Sequence, residues 1–168
     1  MRTERLYSEV GKAVELIQLA DRMFKSILLL VFPGKEFSDL DLFQKNEKHL
    51  NKATLGKLVK TLKSRVSLND HFEAILDDYL NARNSLVHNW DEIPSWETEE
   101  SAIAFTVGVQ KQAAYLSYTF TGFMRAWMEQ VEFSSISEDF PELQNLFSEI
   151  DANWKRMINE FIEEVKST

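Results

Sequence analysis

The chain has no cysteine among its 168 residues. Disulfides, thiolate metal sites and cysteine nucleophiles are therefore excluded together, and the composition suits a reducing compartment. Proline and glycine are scarce, at three and five residues. Nothing in the chain looks like a Pro- or Gly-rich linker that would divide it into separate domains. Histidine occurs three times, as His49, His71 and His88, with no Glu-x-x-His pair, so a helical-bundle metal site is not indicated and no cofactor is expected. Gly56, in Ala53-Thr54-Leu55-Gly56-Lys57, stands alone, and a glycine-rich phosphate loop is excluded. Ser85 lacks an evident triad, which argues against a serine nucleophile. Long apolar runs are absent too: the most apolar stretch, Ser101 to Met128, is broken by Gln110-Lys111-Gln112 where a membrane span tolerates such residues least. The opening residues Met1-Arg2-Thr3-Glu4-Arg5 run into an amphipathic pattern rather than a signal peptide, so the expectation is a cytoplasmic protein without membrane association.

What is present is the balance of a globular domain, 44% hydrophobic and 27% charged, and one domain over residues 1–168 is expected. The net charge of -8 argues against a protein that coats nucleic acid by bulk electrostatics. The charge is unevenly spread. Residues 45–65 carry seven basic side chains against Glu47 alone, whereas residues 129–164 carry ten acids against Lys155 and Arg156. A solvated helix face is the plainer account of the basic stretch; the other is a phosphate-facing surface, for which Lys57, Lys60 and Lys63 are the candidate RNA contacts.

Apolar residues recur at intervals of three and four through most of the chain. A first helix is predicted from Leu6 to Val31, stopped by Pro33-Gly34, and a polar loop from Lys35 to Asn51 with a helical turn near 40–43. A shorter second helix follows from Thr54 through Leu62. A third, capped within 67–70, continues through Trp90 to Pro94. A fourth covers 97–133, and a last one opens at Pro141 and runs to about Val165. No strand pattern is visible. About five amphipathic helices with short joints predict an all-α antiparallel bundle with up-down neighbours. The fourth helix is apolar on nearly all sides, with Phe105, Tyr115, Tyr118 and Trp127 in excess of one bundle face, which a homodimer would cover.

The third helix holds an anomaly. Arg83 lies near the centre of its apolar stripe, where an unpaired guanidinium would cost several kcal/mol. It must be paired, must snorkel, or must open onto a wet cleft or a subunit interface. Asn84 and His88, four apart, share another side of the helix with Asp77. One short segment thus supplies a permanent cation, an amide and an imidazole, the types of group that cleavage of RNA without a metal would use. An imidazole titrates near neutrality and can take the proton from a 2'-hydroxyl or give one to the departing 5'-oxygen. An arginine can orient and stabilise the pentacoordinate phosphate. A single imidazole cannot easily do both in one step, which is a physical reason to expect two copies across a two-fold axis.

The stretch Ala82-Arg83-Asn84-Ser85-Leu86-Val87-His88-Asn89 resembles the Arg-x(4 to 6)-His motif of the HEPN superfamily, in which a polar residue, commonly Asn, follows the Arg. The resemblance implies a dimeric all-helical bundle and, as in many members, a metal-independent endoribonuclease of toxin-antitoxin, antiphage or RNA-processing systems, with an antitoxin or regulatory protein as a further partner. On that footing Arg83 and His88 are catalytic and Asn84 positions the site. In members silenced by a minimal nucleotidyltransferase the motif typically extends to a Tyr two residues after the His, where this chain has Trp90. The alternative is a noncatalytic HEPN-like module that binds a nucleotide or a protein, with Arg83 paired to Asp77, Asp78 or an acid from a neighbouring helix and His88 simply ending its helix.

Overall fold

The computed structural model describes residues 3–31, 47–89, 93, 97–134, 152, 154–156 and 158–165. The chain is an all-α bundle with one small sheet. Its elements are α1 (Glu4–Leu30), α2 (Leu55–Arg65), β1 (Val66–Leu68), α3 (Asp70–His88), α4 (Glu99–Ser134) and β2 (Ile162–Val165). The expected stops at Pro33-Gly34 and Pro94, the turn near 40–43 and the helix opening at Pro141 lie outside the described residues.

Local chemistry explains where the helices begin. Asn69 caps α3, its side-chain oxygen accepting from the Phe72 amide at 2.8 Å, with Asp70 and Glu73 favourably placed in the first turn. Ahead of α4, Thr98 and Ser101 exchange reciprocal bonds: the Ser101 amide donates to the Thr98 hydroxyl at 3.1 Å and the Thr98 amide to the Ser101 hydroxyl at 3.2 Å. Thr3, at the N-cap of α1, does not cap its own helix; its hydroxyl donates to the Glu99 carboxylate and fastens the starts of α1 and α4 together.

Periodicity then decides the packing. On α1 the buried positions are Leu6, Ala13, Ile17, Ala20, Phe24, Ile27 and Leu28, one stripe at helical spacing, and it lies against the matching stripe of α4 in the most extensive helix pairing of the fold. Thr3 with Glu99, Glu9 with Gln110 and Phe24 with Phe120 keep step, so α1 and α4 run parallel. The up-down arrangement holds for α2 against α3, where Lys63 meets Glu73 and Asp77 while Gly56 faces Leu80. Phe24 and Phe120 stack at 4.9 Å, Phe72 meets Phe120 edge-on at 6.5 Å, and Phe161 closes the cluster against Phe72 and Phe123.

Two expectations need correction. Residues 47–51 are helical rather than loop, with Leu50 buried, and the last helix gives way at Ile162 to a strand. β1 and β2 pair antiparallel, Val66 opposite Val165, Ser67 opposite Glu164 and Leu68 opposite Ile162, with a shift of register between Ser67 and Leu68. Strands of three and four residues are too short for alternation to show, yet their burial is clear: Val66, Leu68 and Ile162 are inside. On α4, Val109, Phe120 and Phe123 are buried and Phe105 and Trp127 pack against the core, leaving Tyr115, Met128 and the 80% exposed Tyr118 as the apolar excess.

Candidate active site

On α3 the buried residues Leu76, Tyr79 and Leu86 form the inward stripe, and Arg83 falls between the last two. Its side chain is 17% exposed and reaches three partners. One terminal nitrogen, Nη1, donates to Asn84 Oδ1 at 3.1 Å and stands 3.3 Å from His88 Nε2. The other, Nη2, meets Asp21 Oδ2 of α1 at 3.4 Å. A guanidinium has donors and no acceptor, so this contact is a hydrogen bond in the tautomer that carries its proton on Nδ1, with His88 Nε2 accepting. Residues 83 and 88 are not on one face of the helix. The length of the arginine arm brings the two head groups together at the exposed end of α3.

Behind this pair lies a poorly satisfied polar pocket. Tyr79 is 2% exposed, and its hydroxyl has no hydrogen-bond partner among the described residues; the same holds for Asp21 Oδ1 and Arg83 Nε. These are all of the buried side-chain polar atoms without partners among the described residues, and they belong to one cluster. Each orphaned group costs about 1–3 kcal/mol. Burial pushes the Asp21 carboxyl above its usual value, and the charges of Arg83 and Lys25 draw it only part of the way back. Burial, reinforced by the Asp21 charge, likewise pushes the Tyr79 phenol up, with Arg83 opposing. The cluster therefore holds a cation whose nearest anion is reluctant to be charged.

Arg83, Asn84 and His88 are thus brought together. The three lysines singled out in the sequence are not equivalent. Lys57 and Lys60 are exposed on α2, whereas Lys63 turns toward α3 and binds Glu73 at 2.6 Å and Asp77 at 3.0 Å. Asp77 consequently serves Lys63, not the Arg83 site. Sequence reasoning missed Asp21 and the Tyr79 hydroxyl. The only signal for Asp21 is its place beside Ala20 at the border of the α1 stripe, an acid as close to the core as Arg83 is on α3. His71 lies on the other side of α3 with Ile75 and Asp78, in a groove shared with Lys111 and Tyr115 of α4. Among the described residues no three His, Asp or Glu side chains are grouped to hold a metal ion, and no described helix is long and apolar enough to cross a membrane.

Comparison of the chain with protein-family models, with curated proteins and with solved structures gave no match.

Proposed function

We propose that the chain is a metal-independent endoribonuclease of HEPN type, acting as a cytoplasmic homodimer in which Arg83 and His88 of both protomers form one composite site. The observation that carries this reading is the approach of the Arg83 guanidinium to the His88 imidazole, 3.3 Å apart at an exposed helix end. An imidazole unprotonated at Nε2 is the form that removes a proton from the ribose 2'-hydroxyl, which would take the place of Arg83 Nη1 at that nitrogen while the guanidinium turns to the phosphate. The 2'-oxygen then attacks phosphorus, the bond to the 5'-oxygen breaks, and that oxygen takes a proton from the second protomer's imidazolium. The products are a 2',3'-cyclic phosphate and a 5'-hydroxyl. Arg83 stabilises the phosphorane through donors that Asn84 and Asp21 hold in place. Val87, next to His88, is a large apolar side chain left 42% exposed, which suits an interface passing through this helix end. A role in toxin-antitoxin or antiphage defence, with a neutralising protein partner, is what the motif's resemblance suggests for such an activity.

The Asp21 contact favours a second reading, a noncatalytic helical module. A carboxylate already beside Arg83 offsets part of the charge that a phosphate would use, and the same pocket would then hold a nucleotide or a protein side chain. Incubation of a labelled RNA with the protein in EDTA separates the two. The nuclease predicts cleavage that survives chelation, yields cyclic phosphate ends, and falls at least about 100-fold in Arg83→Ala and in His88→Ala. Equal background in all three proteins refutes it.

A further inference from the structure

A basic segment lies near the Arg83 site, and its placement follows from two contacts and one charge effect. Lys25 of α1 donates to the Asn51 carbonyl at 3.2 Å, which pins the end of the 47–51 turn to α1. The Lys25 charge also acts on Asp21, the carboxylate that Arg83 meets. On the other side, Gly56 near the start of α2 faces Leu80, with a side-chain carbon 3.9 Å from where a Cβ would stand. On α3, Glu73, Asp77, Leu80 and Asn84 recur at helical spacing along one face, and α2 runs antiparallel to it, with Lys63 opposite Glu73 and Asp77 and Gly56 opposite Leu80. Leu80 and Asn84 are one turn apart on α3, so the chain entering α2 ahead of Gly56 approaches the end of α3 that carries Asn84 and His88. Lys52 and Lys57 flank that entry and are exposed, while Lys25 and Arg22 line a groove of about 300 Å³ between α1 and the 47–51 turn.

We infer that Lys25, Lys52 and Lys57 form a phosphate-contacting surface continuous with the Arg83–His88 site, fitted to the backbone of single-stranded RNA. The inference deepens the nuclease reading and rests on it for the identity of the strand. Two acids, Glu47 and Asp21, lie in the same neighbourhood, and the cations outnumber them. Lys63 is outside the surface because Glu73 and Asp77 already meet its charge. A membrane headgroup would call for apolar side chains to insert beside the lysines. The large exposed apolar residues of the described chain, including Tyr7, Leu19, Tyr115 and Met128, all lie outside residues 47–65, and among them Val87 alone stands beside His88, too little apolar surface to insert. A polynucleotide needs only the spaced charges.

The test is fluorescence anisotropy of a labelled oligouridylate across a salt series, in a His88→Ala background so that the strand stays intact. Reversing two contacts with Lys52→Glu and Lys57→Glu is expected to weaken binding at least tenfold and to flatten the slope of log K against log salt by about 1.4. Lys111→Glu, on the opposite side of α3, is expected to change neither. The neutral pair Lys52→Gln and Lys57→Gln, with helical content checked by circular dichroism, gives a smaller loss in the same direction. Unchanged affinity and slope in the charge-reversed protein overturn the inference, as does lysine-dependent binding to phosphatidylserine vesicles without binding to RNA. Failure of the two ideas is distinguishable. RNA binding that follows the lysines in a protein that never cleaves leaves the surface standing and removes the nuclease; His88-dependent cleavage with lysine-insensitive binding does the reverse.

Discussion

Replacing Tyr79 with Phe isolates the energetic character of the pocket behind Arg83. The ring is 2% exposed and its hydroxyl finds no partner among the described residues, which leaves a desolvated O–H with nothing in return from them. Such a group costs about 1–3 kcal/mol, and deleting one oxygen from an otherwise unchanged ring leaves little cavity. Tyr79→Phe is therefore expected to stabilise the fold by about 1 kcal/mol, which for a chain of this length raises Tm by about 2–4 °C. Urea unfolding followed by far-ultraviolet circular dichroism measures it, with an unchanged slope showing that the denatured state is unaffected. The opposite sign has a specific meaning. Asp21 Oδ1 is also without a partner among the described residues and the Asp21 charge acts on the phenol, so the acceptor for a rearranged hydroxyl would be Asp21. In that event Tyr79→Phe orphans a carboxylate oxygen and destabilises by about 1–2 kcal/mol. Such a loss, together with a coupling above about 0.5 kcal/mol in a double-mutant cycle with Asp21→Asn, refutes the reasoning.

Asp21 makes a pH-dependent prediction. Its folded carboxyl sits above the usual range, so the stability tied to the protonated form is present at low pH and is lost as pH rises through the folded value. Asp21→Asn, which mimics the protonated acid, should gain on the wild type as pH rises from about 4 to 7; a stability difference that is flat or falls with pH contradicts the raised carboxyl. Asn69 both caps α3 and donates to the Glu160 carbonyl, so Asn69→Ala is expected to cost about 1 kcal/mol or more, and urea midpoints check it. If Asn69→Asp, which keeps the capping oxygen but not the donor, recovers the full loss, the bond to Glu160 contributes nothing.

Much of the helical framework was legible because burial repeats at the helical period: the stripe from Leu6 to Leu28 in α1 and the run from Phe72 to Leu86 in α3 are written in the residues themselves. That Arg83, Asn84 and His88 belong to one short helical segment was legible too; that the arginine arm spans two sides of the helix to meet His88 came from the structure. Contacts between elements were not. Nothing in the spacing of α1 and α4 says that they run parallel, since direction follows from how the intervening helices pack. Asp21 meets Arg83 across 62 positions of sequence, and an acid at the border of a stripe looks like any solvated residue until the partner helix is placed. Lys63 read as a surface cation because the wheel of α2 alone does not show that Glu73 and Asp77 stand one turn apart on the helix facing it. The β1–β2 pair escaped notice because so few residues carry no measurable alternation.

That small sheet also bears on how the chain acquires its form. Val66 pairs with Val165, so the ladder joins segments that emerge far apart, whereas each helix closes its own bonds over neighbouring residues. Bringing distant segments together carries an entropic toll that local turns avoid, and contacts of this kind govern folding speed more than they govern final stability. The α1–α4 pairing meets the same toll, since Thr3–Glu99 and Phe24–Phe120 span a comparable separation, and the β1–β2 latch adds to it while seating Phe161 against Phe72 and Phe123.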